Sequence, residues 1–234
     1  RDVASRVTSG GADDRWPVWA PDGQSVVYRS HDPKVITEID FWSRDLRGGA
    51  PRQLIARPGL HTPTGVSPDG KLVLFTSLQG PQSHVWLLDR RDGRVEQLIA
   101  SPGDDGDAVF SPDGKWIAYS SNESGRFEVY AQPFPANGEK WRVSTSGGSS
   151  PRWSSDGVEL FFCTPDRAIV AALTTLAKPF AGSQTTLFRR PDLVRGVYDV
   201  SPDGQRFLLA VAVVAERDLP LTVALGWQRD LARR

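Results

Sequence analysis

Three histidines, one cysteine and a short acidic run are the residues through which this chain could do catalysis or hold a metal. His31, His61 and His84 are too scattered for a local zinc motif, and each reads as a loop or strand-start residue. Cys163 lies in the apolar run VELFFCT. A reactive thiolate needs an electropositive, partly exposed setting, so this cysteine reads as a small core side chain, and alone it makes no intramolecular disulfide. The run Asp104-Asp105-Gly106-Asp107 has the start of a calcium loop, but Trp116 stands where the closing Glu belongs. It reads as a solvated turn, as do Asp13 and Asp14. No Gly-x-Ser-x-Gly elbow is present for a serine hydrolase. Paired acids for lyase or glycosidase chemistry would have to come from Asp105, Asp107 and Asp199, whose spacing does not set them apart from turn residues. The expectation is a chain that is not an enzyme and has no metal site and no cofactor.

The elements that must position these side chains are set by a repeated turn. It occurs as APDG at 20–23, SPDG at 67–70, SPDG at 111–114, SSDG at 154–157 and SPDG at 201–204, at steps of 47, 44, 43 and 47 residues. In the third copy DAVF leads into the turn, KWIAYSS leaves it, and FEVYAQPF and KWRVST follow after polar loops. Proline presets φ, aspartate bonds its own backbone two residues on, and glycine takes the positive φ that closes a short hairpin. Four strands per copy at a period in the forties is the signature of a β-propeller, all-β, with four-stranded antiparallel blades.

The repeats span about 15–55, 62–99, 106–144, 149–189 and 196–234 of a single propeller domain covering 1–234. Second strands are expected at 25–30, 71–77, 158–164 and 206–212. Third strands are expected at 40–46, 84–90, 168–173 and 221–227, and fourth strands at 51–55, 95–99 and 185–189. Trp19, Val66, Phe110, Trp153 and Val200, each just before its turn, form the expected inter-blade core column. ASRVTS at 4–9 reads as the outer strand of the closing or preceding blade. That pattern fits a closed ring of five blades, or a piece of a ring of six to eight. The chain does not begin with Met, which favours the piece.

Lys and Arg number 28 against 28 Asp and Glu, so no net charge draws the chain to nucleic acid or anionic lipid. No apolar run is long enough to insert in a membrane as a helix, and no signal peptide is present.

The repeats resemble the TolB-type, WD-repeat-like propellers of bacteria. The stretches at 111–162 and 198–209 resemble, more narrowly, the propeller extension of bacterial membrane-bound Ser/Thr protein kinases. The ending LTVALGWQRDLARR is similar to theirs, with Gly226 where that pattern has Asn. The chain has none of the kinase motifs. The resemblance implies a periplasmic or extracytoplasmic sensor or scaffold module regulating an attached kinase, or a TolB-like envelope protein. The alternative is the substrate-gating propeller of a prolyl-oligopeptidase-type peptidase. The charged end at 228–234 looks like a true C-terminus, which favours the first.

A protein or peptide ligand is the expected partner. Loops entering the innermost strands ring one mouth of a propeller's channel, which puts Arg15, Trp16, His61, Asp105, Asp107 and Arg195 on that rim. Arg152, Tyr198 and Asp199 lie within the innermost strands themselves. Aromatic and arginine side chains dominate binding energetics, so this mixed rim is the candidate binding site.

Overall fold

The computed structural model describes residues 7–8, 11–34, 38–174, 184–201 and 203–212, with backbone alone at Glu38 and Arg195. Among them the secondary structure is entirely strand and turn. The strands fall into two compact units, residues 1–110 with 121–123, and residues 111–120 with 124–234.

In the first unit the first repeat supplies β1 (Asp13–Trp19), β2 (Ser25–His31), β3 (Glu38–Asp45) and β4 (Arg52–Gln53). The second supplies β5 (Gly59–Val66), β6 (Leu72–Leu78), β7 (Ser83–Asp89) and β8 (Val95–Ile99), and the third contributes β9 (Asp105–Phe110). Each blade pairs its strands antiparallel in sequence order. Because β4 covers only Trp42 and Ser43 of β3, an edge is left free, and β5 joins it by a short parallel pairing at Glu38–Gly59 and Ile39–Leu60. The blades bury a shared core of Val27, Phe41, Ile55, Val73, Phe75 and Leu88. Phe75 is its centre, with ring centroids 5.2 Å from Phe41 and 6.5 Å from Trp86.

The second unit holds β10 (Trp116–Ser121), β11 (Glu128–Pro133), β12 (Trp141–Arg142), β13 (Ser149–Trp153), β14 (Glu159–Cys163), β15 (Ala168–Leu173), β16 (Gln184–Arg189), β17 (Leu193–Val200) and β18 (Phe207–Val211). The blade β13–β16 is a complete four-stranded antiparallel sheet. Its core combines Phe161, Cys163, Ile169 and Ala171 with Leu193, Tyr198 and Phe207 of the next hairpin. Cys163 is fully buried there, as its apolar run implies.

The repeated turns share one geometry. All five glycines have positive φ, from 63° at Gly23 to 74° at Gly70, a region that disfavours a Cβ. Each glycine N–H donates to the carbonyl three residues back, at 2.8–3.0 Å. The serine adds a lock that the sequence did not announce. Ser67 Oγ donates to Asp69 at 2.7 Å and accepts from Leu72 N–H at 2.9 Å, and Ser111, Ser154 and Ser201 repeat the arrangement.

The core column holds in part. Val66 packs on the first unit's core and Val200 on the second's, because their cross-strand partners Val73 and Phe207 are members of those cores. Trp19 is instead 58% exposed. Its partner is Val26, while the core residue Val27 sits opposite Val18, so Trp19 lies on the other face of the strand. The expected outer strand at 4–9, apart from Val7 and Thr8, lies outside the described residues. So do the third strand at 221–227 and the C-terminal ending.

Candidate functional site

The innermost strand of the blades is interrupted at an equivalent place. Trp16, Asp107 and Ser150 lie five residues before Pro21, Pro112 and Ser155, and have φ of 56°, 54° and 56°. Left-handed backbone at a non-glycine residue is uncommon, and such strain gathers at bulges and functional sites. Strand register shifts between Arg15 and Val18, between Pro63 and Gly65, between Ser149 and Arg152, and between Leu193 and Tyr198. Bulges re-aim side chains beside functional surfaces. The residues at the break are Trp, Pro, Asp, Ser and Val, so no common residue type betrays it in the sequence.

On β1 the break presents Arg15 and Trp16. Trp16 is 49% exposed. Arg15 Nε donates to Asp13 at 2.7 Å, which holds the Asp13 carboxyl below its ordinary range and raises the arginine.

His61 and Asp105 are not surface residues. His61, third in β5, is fully buried, and desolvation lowers its pKa. His31 closes β2 rather than sitting in a loop, and His84 is second in β7. Asp105 is fully buried at the start of β9, accepting from Ser101 N–H at 2.8 Å and His84 Nδ1–H at 3.2 Å. Asp104, beside it, accepts from Ser83 N–H at 2.9 Å and exchanges bonds with Asn122, whose Oδ1 takes the Asp104 N–H at 2.7 Å. The Ser83 amide is the main reason its pKa is lowered. The acidic run is therefore a structural knot joining the start of β7, Ser101 and Asn122 to the entry of β9, and not a solvated turn. Asp107, half-buried, follows two residues later.

In the second unit Arg152, Tyr198 and Asp199 come together. Tyr198 is buried and its hydroxyl donates to the Ser150 carbonyl at 2.8 Å. Gly196, at φ 77°, lets β17 approach that bulge, where a Cβ would stand 2.6 Å from Ser150 Oγ. The Arg152 guanidinium lies 5.9 Å from the Tyr198 ring centre, with Nε 4.0 Å from the exposed Asp199 carboxylate. A part-exposed cation braced on an aromatic ring suits recognition of a carboxylate or a main-chain carbonyl. Arg195 belongs to β17, and its side chain lies outside the described residues. Sequence reasoning missed Ser77, His84, Asn122 and the exposed Trp19, because burial in a propeller depends on cross-strand partners that the sequence does not display.

The TolB beta propeller domain family matches residues 17–204. No curated protein matches the sequence. TolB from Acinetobacter baumannii superposes with a TM-score of 0.75 at 24% identity, covering 89% of this chain and 51% of that one. The chain therefore spans about half the length of that relative. The putative TolB from Agrobacterium tumefaciens gives 0.61 at 18% identity, covering 78% of this chain and 83% of that one. An oligogalacturonate lyase in complex with manganese gives 0.63 at 14% identity, covering 88% and 61%. At these identities the likeness is one of fold.

Proposed function

The chain belongs to the TolB beta propeller domain family, and from that premise we propose that it is a non-catalytic module that binds a protein or peptide. The observation that carries this is the bulge on β1, which holds Trp16 in left-handed backbone with about half its surface open beside Arg15. The Arg152–Tyr198 pair of the second unit offers the same chemistry. An exposed indole and a braced guanidinium are the side chains that most often anchor an interface. Among the described residues no three His, Cys, Asp or Glu side chains are grouped to hold a metal.

The sensor role proposed with it, extracytoplasmic and attached to a receptor-like Ser/Thr kinase or within a TolB-like envelope assembly, rests on the repeat resemblance. The test selects peptides on the immobilised chain, then measures their affinity for Trp16→Ser and Arg152→Ala, with folding checked by circular dichroism. A tenfold or greater loss in either variant is expected. Peptides that bind both variants as tightly as the parent would sink the reading.

A further inference from the structure

At one end of the second blade three buried side-chain atoms have no hydrogen-bond partner among the described residues: His61 Nδ1, Ser77 Oγ and Asp105 Oδ1. They belong to one row. Ser77 on β6 stands directly opposite His61 on β5 and His84 on β7. Residues opposed across antiparallel strands share a face, with Cβ atoms about 4.5–5.5 Å apart. His84 carries the row to Asp105 through the Nδ1–H to Oδ2 bond at 3.2 Å. His61, Ser77 and Asp105 are each buried almost completely.

The chemistry of the three atoms defines what fits among them. His61 Nε2 lies 3.2 Å from the Arg57 carbonyl, which can only accept, so the ring proton sits on Nε2 and Nδ1 offers a lone pair. Asp105 Oδ1 is also an acceptor. Ser77 can donate or accept. Buried polar atoms without partners are rare because the lost hydration is not replaced. A guest here must be small, bring two donors and take part in a third bond, and water does all of this. A directly ligated metal ion does not suit the row, since no three metal-binding side chains group there among the described residues.

We propose that His61, Ser77 and Asp105 hold one internal water molecule that ties β5 and β6 to the first residue of β9. Asp105 opens the strand that carries Asp107 in left-handed backbone two residues on. The water thus helps fix the entry angle of that inner strand.

The sign of one substitution tests the idea. In a dry row Ser77→Ala removes an unpaired buried hydroxyl and makes the protein more stable. In a hydrated row it removes one of the water's partners, and the unfolding equilibrium constant should rise about tenfold. The parent chain gives an independent reading. Diffraction to about 1.5 Å should show one peak within about 2.7–3.2 Å of all three atoms. Stabilisation by Ser77→Ala overturns the proposal, as does an empty map at the row. A peak about 2.0–2.2 Å from the ligands, with stoichiometric metal by elemental analysis, overturns it in favour of a cation.

Discussion

Replacing Gly103 by alanine should unpick the knot at the entry to β9. Gly103 has ordinary negative-φ backbone, so alanine meets no conformational penalty there. The obstacle is space. A Cβ would stand 2.0 Å from Asn122 Oδ1 and 2.9 Å from the Glu123 backbone nitrogen. The amide of Asn122 must turn away, and it then drops the Asp104 N–H it holds at 2.7 Å and its weaker donation to Asp104 Oδ2 at 3.3 Å. A half-buried N–H left unmet costs about 1–3 kcal/mol, and the second bond adds about 0.5–1. Alanine returns about 0.4–1 kcal/mol by restricting the unfolded chain. The net loss is about 1–3 kcal/mol, or roughly 3–10 °C in the midpoint of a chain this size. Urea unfolding measures it, and hydrogen exchange at the Asp104 amide shows whether the cause is right. Gly80→Ala is the control, because nothing lies within 4 Å of its Cβ and its φ is not positive. That variant should be neutral or slightly stabilising. A Gly103→Ala protein as stable as the Gly80→Ala one, or with the Asp104 amide still protected, would refute the reasoning.

Two further outcomes follow from other parts of the fold. Glu128 is a fully buried carboxylate on β11 that accepts from Gly147 N–H at 3.0 Å, Arg126 Nε at 2.7 Å and the Ser144 hydroxyl. Glu128→Ala should cost about 2–4 kcal/mol in chemical denaturation by stranding the first and last of these donors, while Glu128→Gln should cost less. Asp45, Asp69 and Asp89 all have carboxyl pKa values lowered to about 2, the first and third by hydrogen bonds from Arg47 and Arg91 and the second by the Ser67 hydroxyl. Their contribution is complete above the unfolded value near about 3.9 and fades as pH falls towards 2. Thermal melts should therefore show a midpoint that drops between pH 4 and 2. Added salt should shrink the part due to the two arginine pairs, and a pH-independent midpoint over that window would contradict the assignment.

What the sequence made legible is what depends on local chemistry. The turn at 111–114 could be read because Pro112, Asp113 and Gly114 act on their own backbone, and the structure gives Gly114 φ 71° with its N–H on the Ser111 carbonyl. The strands at 95–99 and 168–173 are bounded as expected because polar loops flank them on both sides. Positions whose role is set across strands stayed hidden. Trp19 and Val66 hold the same place relative to their turns and pair in the same register, with Val26 and Val73, yet one faces solvent and the other packs on the core, because the core shared by the first two repeats takes the Val27 face of the first and the Val73 face of the second. The charge of Asp104 and Asp105 suggested solvent; all their acceptors but Asp105 Oδ1 are instead engaged by Ser83, Ser101, His84 and Asn122, residues up to 21 positions away.

The bulges sharpen this distinction between what repeats and what varies. A backbone device recurs in the innermost strands at a constant distance from the turn, while the residue at the break is Trp16, Pro63, Asp107, Ser150 or Val197. If the device served only to fit each strand to its neighbours, glycine would meet the left-handed backbone at the least cost. Gly196 shows that the fold accepts it beside one break. Tryptophan, aspartate and serine at the others bear a conformational cost that glycine would avoid, so their side chains must contribute something there. For Ser150 the contribution is visible in its packing, since its Oγ occupies the space that a Cβ on Gly196 would need. Trp16 has no such internal account: about half of its surface is open, on a strand whose core-facing partner is elsewhere. On the proposed reading, the energy spent on its backbone is returned by a ligand that the exposed indole touches, which is why Trp16→Ser is the more informative of the two binding variants. It should weaken peptide binding while leaving the unfolding midpoint unchanged or raised, and a lowered midpoint with unaltered binding would assign Trp16 to the fold instead.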